Sequence, residues 1–299
     1  MTMPTPPSKK IALKKITLAF SPDTDDQFMV QALRERRLDW GEYDFEFIVG
    51  DIQELNDAAK FGTYDITAIS MAAYPDLVNE YWLMPVGSSI GDGFGPAVVT
   101  RMDRRLPVGT TDLSGMRIGV PGLQTSAFLS ARALLGNFEA VPMHFTDIAH
   151  AVEEGEVDAG ILIHELQIDC ENQGLAKCFD LGALWLKKFA LPLPLGGNAI
   201  KRSLGERHVQ ALTRLFKASI EAGLSGRQET LKGAIATAVT KLDETLGDRY
   251  IEMYVNHRSL DLQDDVLTSL DQLFGEGSRM GLYPALEIRN HVVSLGITI

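Results

Sequence analysis

Twice along the chain a glycine that closes a helix is followed three residues later by an aspartate and then by a short apolar strand. The two copies read GTYDITAIS, from Gly62 to Ser70, and GEVDAGILIHE, from Gly155 to Glu165. Each ends a longer unit of the same order: strand, polar turn, helix, strand, capped helix, strand. In the first unit Ile16 to Phe20 is a strand, and SPDTDD, Ser21 to Asp26, is the turn into a helix from about Asp25 to Arg36. A strand from Tyr43 to Val49 leads to Asp51, an N-cap for the helix IQELNDAAK that Gly62 closes. In the second unit Arg117 to Val120 is a strand, PGLQTSAF is its turn, and a helix runs from Ser126 to Leu135. An extended stretch, Val141 to Phe145, leads to Thr146, a cap for the helix DIAHAVEE, and Gly155 closes that helix before the strand Val157 to Ile163. Short β-branched runs alternating with helices predict parallel strands joined by helical crossovers. Two such units in 299 residues predict an α/β protein of two lobes.

In open α/β sheets ligands sit in the crevice beyond the carboxyl ends of the strands. His164 stands where its strand stops, and Ser70 stands at the equivalent point of the first unit. An imidazole with an ordinary pKa of about 6.5 is a competent base near neutral pH. Thr125 and Ser126 put hydroxyls and free backbone amides at a helix start, which suits an anion. Ser21 and Asp26 lie in the turn and helix start of the first unit, so Ser21, Asp26, Ser70, Thr125, Ser126 and His164 are expected to line one cleft between the lobes. Asp23 and Asp25 read as helix caps, whose carboxylates answer exposed amides and the positive end of the dipole. Glu165 adjoins His164, but neighbouring strand side chains point to opposite faces, which leaves Glu165 without a catalytic role. The remaining histidines, His144, His150, His208, His257 and His291, read as surface or packing residues. Cys170 and Cys178 match no common zinc spacing and read as free buried thiols.

The glycines of GSSIGDGFGP precede a strand, Ala97 to Thr100, instead of opening a helix. They read as places where the backbone approaches a ligand or a neighbouring lobe, not as a phosphate loop. After Ala183 the proline-punctuated LWLKKFALPLPLGGNAIKRSL reads as an extended return crossing, and from Gly205 the chain reads as amphipathic helices. This gives a tail over 1–15, a first lobe over 16–108 and 200–299, and a second lobe over 109–199. With no P-loop, no G-x-G-x-x-G and no His/Cys metal cluster in the sequence, no cofactor is expected.

Twenty-eight basic against forty acidic residues give a net charge of −12, which argues against nucleic acid or an anionic membrane surface as a partner. An anionic small-molecule substrate is still compatible, because a helix start supplies local positive potential. The first fifteen residues carry prolines and lysines but no apolar signal region, and the run Ile16 to Phe20 is too short to span a bilayer. A cytoplasmic protein without membrane insertion is the expectation.

Two α/β lobes with a crossover and a helical tail resemble the type II periplasmic-binding-protein architecture, with its interlobe cleft. More narrowly, SPDTDDQF, YDITAISMAAYP, GDGFGP, PGLQTSA, GEVDAGILIHE, LPLPLGG and MYVNHRSLDL resemble the menaquinone-biosynthesis family of the futalosine route, in the branch that forms 1,4-dihydroxy-6-naphthoate. These motifs run from residue 21 to residue 262. The resemblance implies a lyase that takes cyclic dehypoxanthine futalosine and breaks a carbon–carbon bond without metal or redox cofactor. It implies that His164 is the general base and that Ser70, Thr125 and Ser126 hold the carboxylate and hydroxyls of the substrate. The chain departs from the family at SPDTDD, where SPCPND is usual, at Ala68 and Met71, where lysine and tyrosine are common, and at IHELQID, where IHEGRF is usual. Two other readings share the same lobes: a solute-binding protein that does no chemistry, and a diverged paralogue acting on another aromatic carboxylate.

Overall fold

The computed structural model describes residues 13–104, 106–107, 110–172, 174–239 and 242–295. The first unit is β1 (Lys14–Phe20), α1 (Thr24–Arg34), β2 (Tyr43–Val49), α2 (Ile52–Ala59) and β3 (Ile66–Ser70). After it come α3 (Tyr74–Leu77), β4 (Tyr81–Leu83), β5 (Ser89–Gly91) and β6 (Ala97–Arg101). The second unit is β7 (Arg117–Val120), α4 (Ser126–Leu135), β8 (Glu139–Pro142), α5 (Ile148–Glu153) and β9 (Ala159–Leu162). It is followed by α6 (Leu166–Asp169), β10 (Leu175–Asp180), α7 (Leu181–Phe189) and β11 (Leu193–Lys201). The helical tail is α8 (Glu206–Ser225), α9 (Arg227–Thr237), α10 (Glu244–Tyr254), α11 (His257–Leu260) and α12 (Asp264–Arg279).

The strands form two sheets of one plan. The first has the order β2-β1-β3-β11-β4, with β5 also on β11, and the second the order β10-β6-β9-β7-β8. In each sheet the three strands of a unit run parallel, β1 beside β2 and β3, and β7 beside β8 and β9. An antiparallel strand from elsewhere in the chain then closes the set, β11 on β3 and β6 on β9. Every residue of β3 and of β9 is buried, which explains why both read as unbroken apolar runs and not as alternating strands. Ser70 ends β3 and His164 lies just past β9, so the two units place them at matching points of matching sheets.

Sheet membership differs from the division expected at residues 108 and 199. β6 already belongs to the second sheet and β11 belongs to the first, so the crossings fall in the stretches 92–96 and 190–192. Lys14 and Lys15 likewise belong to β1 and not to a tail, while residues 1–12 lie outside the described residues. The stretch expected to run extended after Ala183 begins as a helix. Asp180 accepts a hydrogen bond from the Ala183 amide at 3.1 Å and caps α7, and Leu181 and Trp185 put an i, i+4 apolar pair into the core. The prolines, Pro192 and Pro194, come after that helix and enforce its end, not its absence.

The glycine-rich crossing is a place of close backbone approach. A Cβ on Gly182 would stand 1.9 Å from the Phe94 carbonyl oxygen, and one on Gly95 would stand 2.8 Å from the Gly182 amide. Nearby, one apolar core runs from Ile69 and Tyr74 through Val120, Phe128 and Trp185 to Leu270 and Phe274 of α12. The Trp185 indole donates to Ser269 Oγ at 3.0 Å, and that hydroxyl donates to the Pro192 carbonyl at 2.6 Å. The lobes thus share a core at the crossings, while α8, α9 and α10 pack on α1 to complete the first lobe. Among the described residues no helix is long and apolar enough to cross a membrane.

Candidate active site

Ser21, Asp26, Ser70, Thr125, Ser126 and His164 all line one cleft of about 660 Å³ between the two sheets, part of it open to solvent. Its walls also include Asp23, Asp25, Ser89, Gln167, Tyr250 and Tyr254. β1 and α1 supply the acidic wall, β3 supplies Ser70, the start of α4 supplies the two hydroxyl residues, and the end of β9 supplies the histidine.

His164 is not a strand residue. β9 stops at Leu162, and His164 has φ +54, a left-handed conformation that costs a non-glycine residue roughly 1–3 kcal/mol and is tolerated where packing fixes it. Phe145 meets the imidazole edge-on with centroids 4.7 Å apart. Nδ1 lies 2.5 Å from Asp23 Oδ2, whereas Nε2 is buried with no hydrogen-bond partner among the described residues. Burial alone draws the imidazole pKa down. The charge of Asp23 and its hydrogen bond outweigh that, with Glu165 and Asp25 adding to the effect, and the pKa is pushed up to about 9.

Asp23, expected to be a helix cap, sits at the N-cap of α1 but makes no capping hydrogen bond with its side chain. One carboxylate oxygen accepts from Ser21 Oγ and the other faces His164. Glu165 departs from expectation as well. Strand alternation does not apply past Leu162, and both His164 and Glu165 turn to the start of α1, where Glu165 Oε1 accepts the Thr24 amide at 2.7 Å and the Thr24 hydroxyl. Asp25 accepts from Ser89 Oγ at 2.6 Å and lies 3.4 Å from the Tyr250 hydroxyl, and Asp26 accepts the Ser21 amide at 2.8 Å. Burial pushes both carboxyls up to about 7, helped by the charge of Asp23 at Asp25 and of Asp25 at Asp26. The sequence signal for this wall was the number of carboxylates in SPDTDD, three where one suffices to cap a helix.

The hydroxyls at the start of α4 are already committed. Thr125 Oγ1 donates to the Gly122 carbonyl at 2.8 Å and accepts the Phe128 amide, and Ser126 Oγ donates to the Leu195 carbonyl at 2.6 Å and accepts the Ala72 amide. An anion at this helix start would therefore meet the first-turn amides and not hydroxyl protons. Gly122 has φ +140, and a Cβ there would collide with the Gln53 side chain, which reaches across to the Gln124 amide at 3.2 Å. The Ser70 amide donates to Asn56 Oδ1 at 2.9 Å, which holds the end of β3 on α2. Cys170 is buried and Cys178 half-buried, and both are free thiols.

Two like sheets facing across one cleft are the periplasmic-binding-protein-like fold. The alkanesulfonate-binding protein SsuA of Xanthomonas axonopodis pv. citri, solved with MOPS bound, shares it with a TM-score of 0.70 over 94% of this chain and 98% of that one, at 12% identity, a likeness of fold alone. A protein of Archaeoglobus fulgidus of known crystal structure is nearer, with a TM-score of 0.83 and 37% identity over 90% of this chain and 98% of that one. Within this fold class the chain belongs to the menaquinone biosynthesis family, whose model matches residues 16–279. Two relatives bear the name 1,4-dihydroxy-6-naphthoate synthase, one from Thermus thermophilus and one from Streptomyces coelicolor. Each is 32% identical, the first over 90% of this chain and 96% of its own, the second over 91% and 95%.

Proposed function

We propose that this chain is a carbon–carbon lyase of the futalosine route that takes cyclic dehypoxanthine futalosine and releases 1,4-dihydroxy-6-naphthoate, with His164 as the base. The observation that carries this reading is the bare, buried Nε2 of His164 at the cleft wall. With Nδ1 engaged by a carboxylate, Nε2 is the nitrogen left to take a proton from the sugar-derived part of the substrate and so start bond cleavage. A raised pKa makes that nitrogen a stronger base once it is neutral.

The charge pattern supports an orientation for the anionic substrate. Asp23, Asp25 and Asp26 make the His164 side of the cleft acidic, so the substrate carboxylate belongs at the amides opening α4. The hydroxyl-bearing part then lies beside Ser21, Asp26 and Ser70. Incubation of the purified protein with cyclic dehypoxanthine futalosine, followed by chromatography, should yield the naphthoate. Recovery of unchanged substrate from a folded, concentrated sample would refute the assignment.

A further inference from the structure

We infer that Asp23 is the positioning residue of the His164 base and that the pair is built across the cleft, one member on each lobe, so that it is complete only while the lobes are closed. The inference rests on His164 being the base proposed above, and it adds where the second half of that base comes from.

Asp23 follows β1 of the first sheet and His164 follows β9 of the second, and the two sheets share no strand. The carboxylate is turned to the imidazole and not to the helix end. It leaves the N-cap hydrogen bond of α1 unmade, one oxygen is fixed by the Ser21 hydroxyl, and the other points at Nδ1. On the opposite side the left-handed backbone of His164 and the edge contact with Phe145 fix the ring. A carboxylate on Nδ1 selects the tautomer that frees Nε2 and steadies the imidazolium that forms when a proton is taken.

The next residue on each side makes a second bridge. Thr24 donates its amide and its hydroxyl to Glu165, so residues 23 and 24 of one lobe engage residues 164 and 165 of the other as neighbouring pairs. Asp23, Thr24 and Glu165 are buried and the His164 side chain is only 10% exposed, and parting of the lobes would break both pairs together. His164 would then lose the anion that holds its proton. The other groups that act on it are Asp25 on α1 and Glu165. Tyr250 on α10 lies beside the same carboxylates and keeps its proton, its pKa raised by burial and by their charge.

The test is a nitrogen-detected NMR titration of the histidines in the unliganded protein, which needs no substrate. Wild-type His164 is expected to titrate near 9, and in Asp23→Asn it should fall to the ordinary value of about 6.5 or lower, because burial acts downward once the anion is gone. With substrate at a pH above 9, where the imidazole is neutral in both proteins, the same variant should lose roughly 10²–10⁴-fold in kcat while KM stays within about threefold. An unmoved titration in folded Asp23→Asn overturns the inference. Should that variant not fold, the wild-type Nδ1 proton decides: it should be seen as a hydrogen-bonded, slowly exchanging resonance, and its absence overturns the inference. The dependence on closure is read from Thr24→Val, in which that proton should exchange about tenfold faster or more, whereas unchanged exchange rules closure out. A wild type that titrates as expected but turns over no cyclic dehypoxanthine futalosine sinks the proposed function alone. Turnover with an unmoved His164 in Asp23→Asn sinks this inference alone.

Discussion

A proton resting on His164 must leave before the residue can act as a base, and Asp23 holds that proton. With the pKa near 9 the neutral form is about one per cent of the protein at pH 7, so kcat/KM should climb roughly tenfold per pH unit from pH 6 to 8 and level off near 9. An unpaired imidazole would level off near 6.5 instead, the behaviour expected from the sequence. A profile already flat at pH 7 would show that His164 is not the titrating base. His164→Ala should lose roughly 10²–10⁴-fold in turnover with the fold intact by circular dichroism, and His164→Asn, polar but unable to accept the proton, should do no better. A protein that only binds solute has no turnover to lose, so comparable kcat in wild type and variant would refute the base. His164 itself was legible as a polar residue ending a buried strand. Asp23 was not, because one turn cannot reveal which residues of another lobe stand opposite it. The alternation that set Glu165 aside fails for a local reason: a single residue at φ +54 cancels it.

At the scale of elements, what local chemistry decides was readable and what packing decides was not. The caps at Asp51 and Thr125 accept the Gln53 and Phe128 amides as their residue types require, and Gly62 and Gly155 take φ +60 and +74 at the helix ends they close. Asp147, not Thr146, sits at the N-cap of α5, where no side-chain cap forms. The fate of the α4 hydroxyls lay in partners 54 and 69 residues away, Ala72 and Leu195. Their commitment changes what substitution there should do. Thr125→Ala removes a cap and should lower stability by about 0.5–2 kcal/mol in chemical denaturation. Ser126→Ala removes a tie between α4 and the first lobe and should weaken ligand binding through poorer closure, an effect calorimetry would report. Loss of affinity from Thr125→Ala equal to that from Ser126→Ala would favour direct hydroxyl contacts with the ligand. Gly182→Ala forces a Cβ into the Phe94 carbonyl where two backbones cross, so α7 must shift. A loss of about 1–3 kcal/mol is expected, and an unchanged denaturation midpoint would mean that the crossing is looser than the contact implies.

Across the whole molecule, two lobes were legible from the repeated unit, but their boundary was not, because β6 and β11 declare their sheets only through pairing with β9 and β3, far away in sequence. The same assembly gathers carboxylates and an imidazole that no single lobe would concentrate, and this gives the folded protein a proton affinity its unfolded chain lacks. Asp25 and Asp26 titrate near 7 in the fold against 3.8 when unperturbed, and His164 near 9 against 6.5. Each raised pKa means that the native state binds the proton more tightly, so the stability it contributes is full below the unfolded pKa and is lost as pH rises through the folded one. For the two aspartates that loss spans about pH 4 to 7, and for His164 about pH 6.5 to 9, all in one direction. The net charge of −12 grows more negative over the same range and adds repulsion with the same sign. Thermal unfolding followed by circular dichroism should therefore give a melting temperature that falls steadily from pH 5.5 to pH 9.5. Within its own window each group removes at most about 1.4 kcal/mol of stability for every step of one in pH. Asp25→Asn, which keeps the shape but carries no charge to be buried, should flatten the part of that decline below pH 7. A melting temperature that holds or rises toward pH 9.5 would mean that these carboxyls and the imidazole are not held as this cleft holds them.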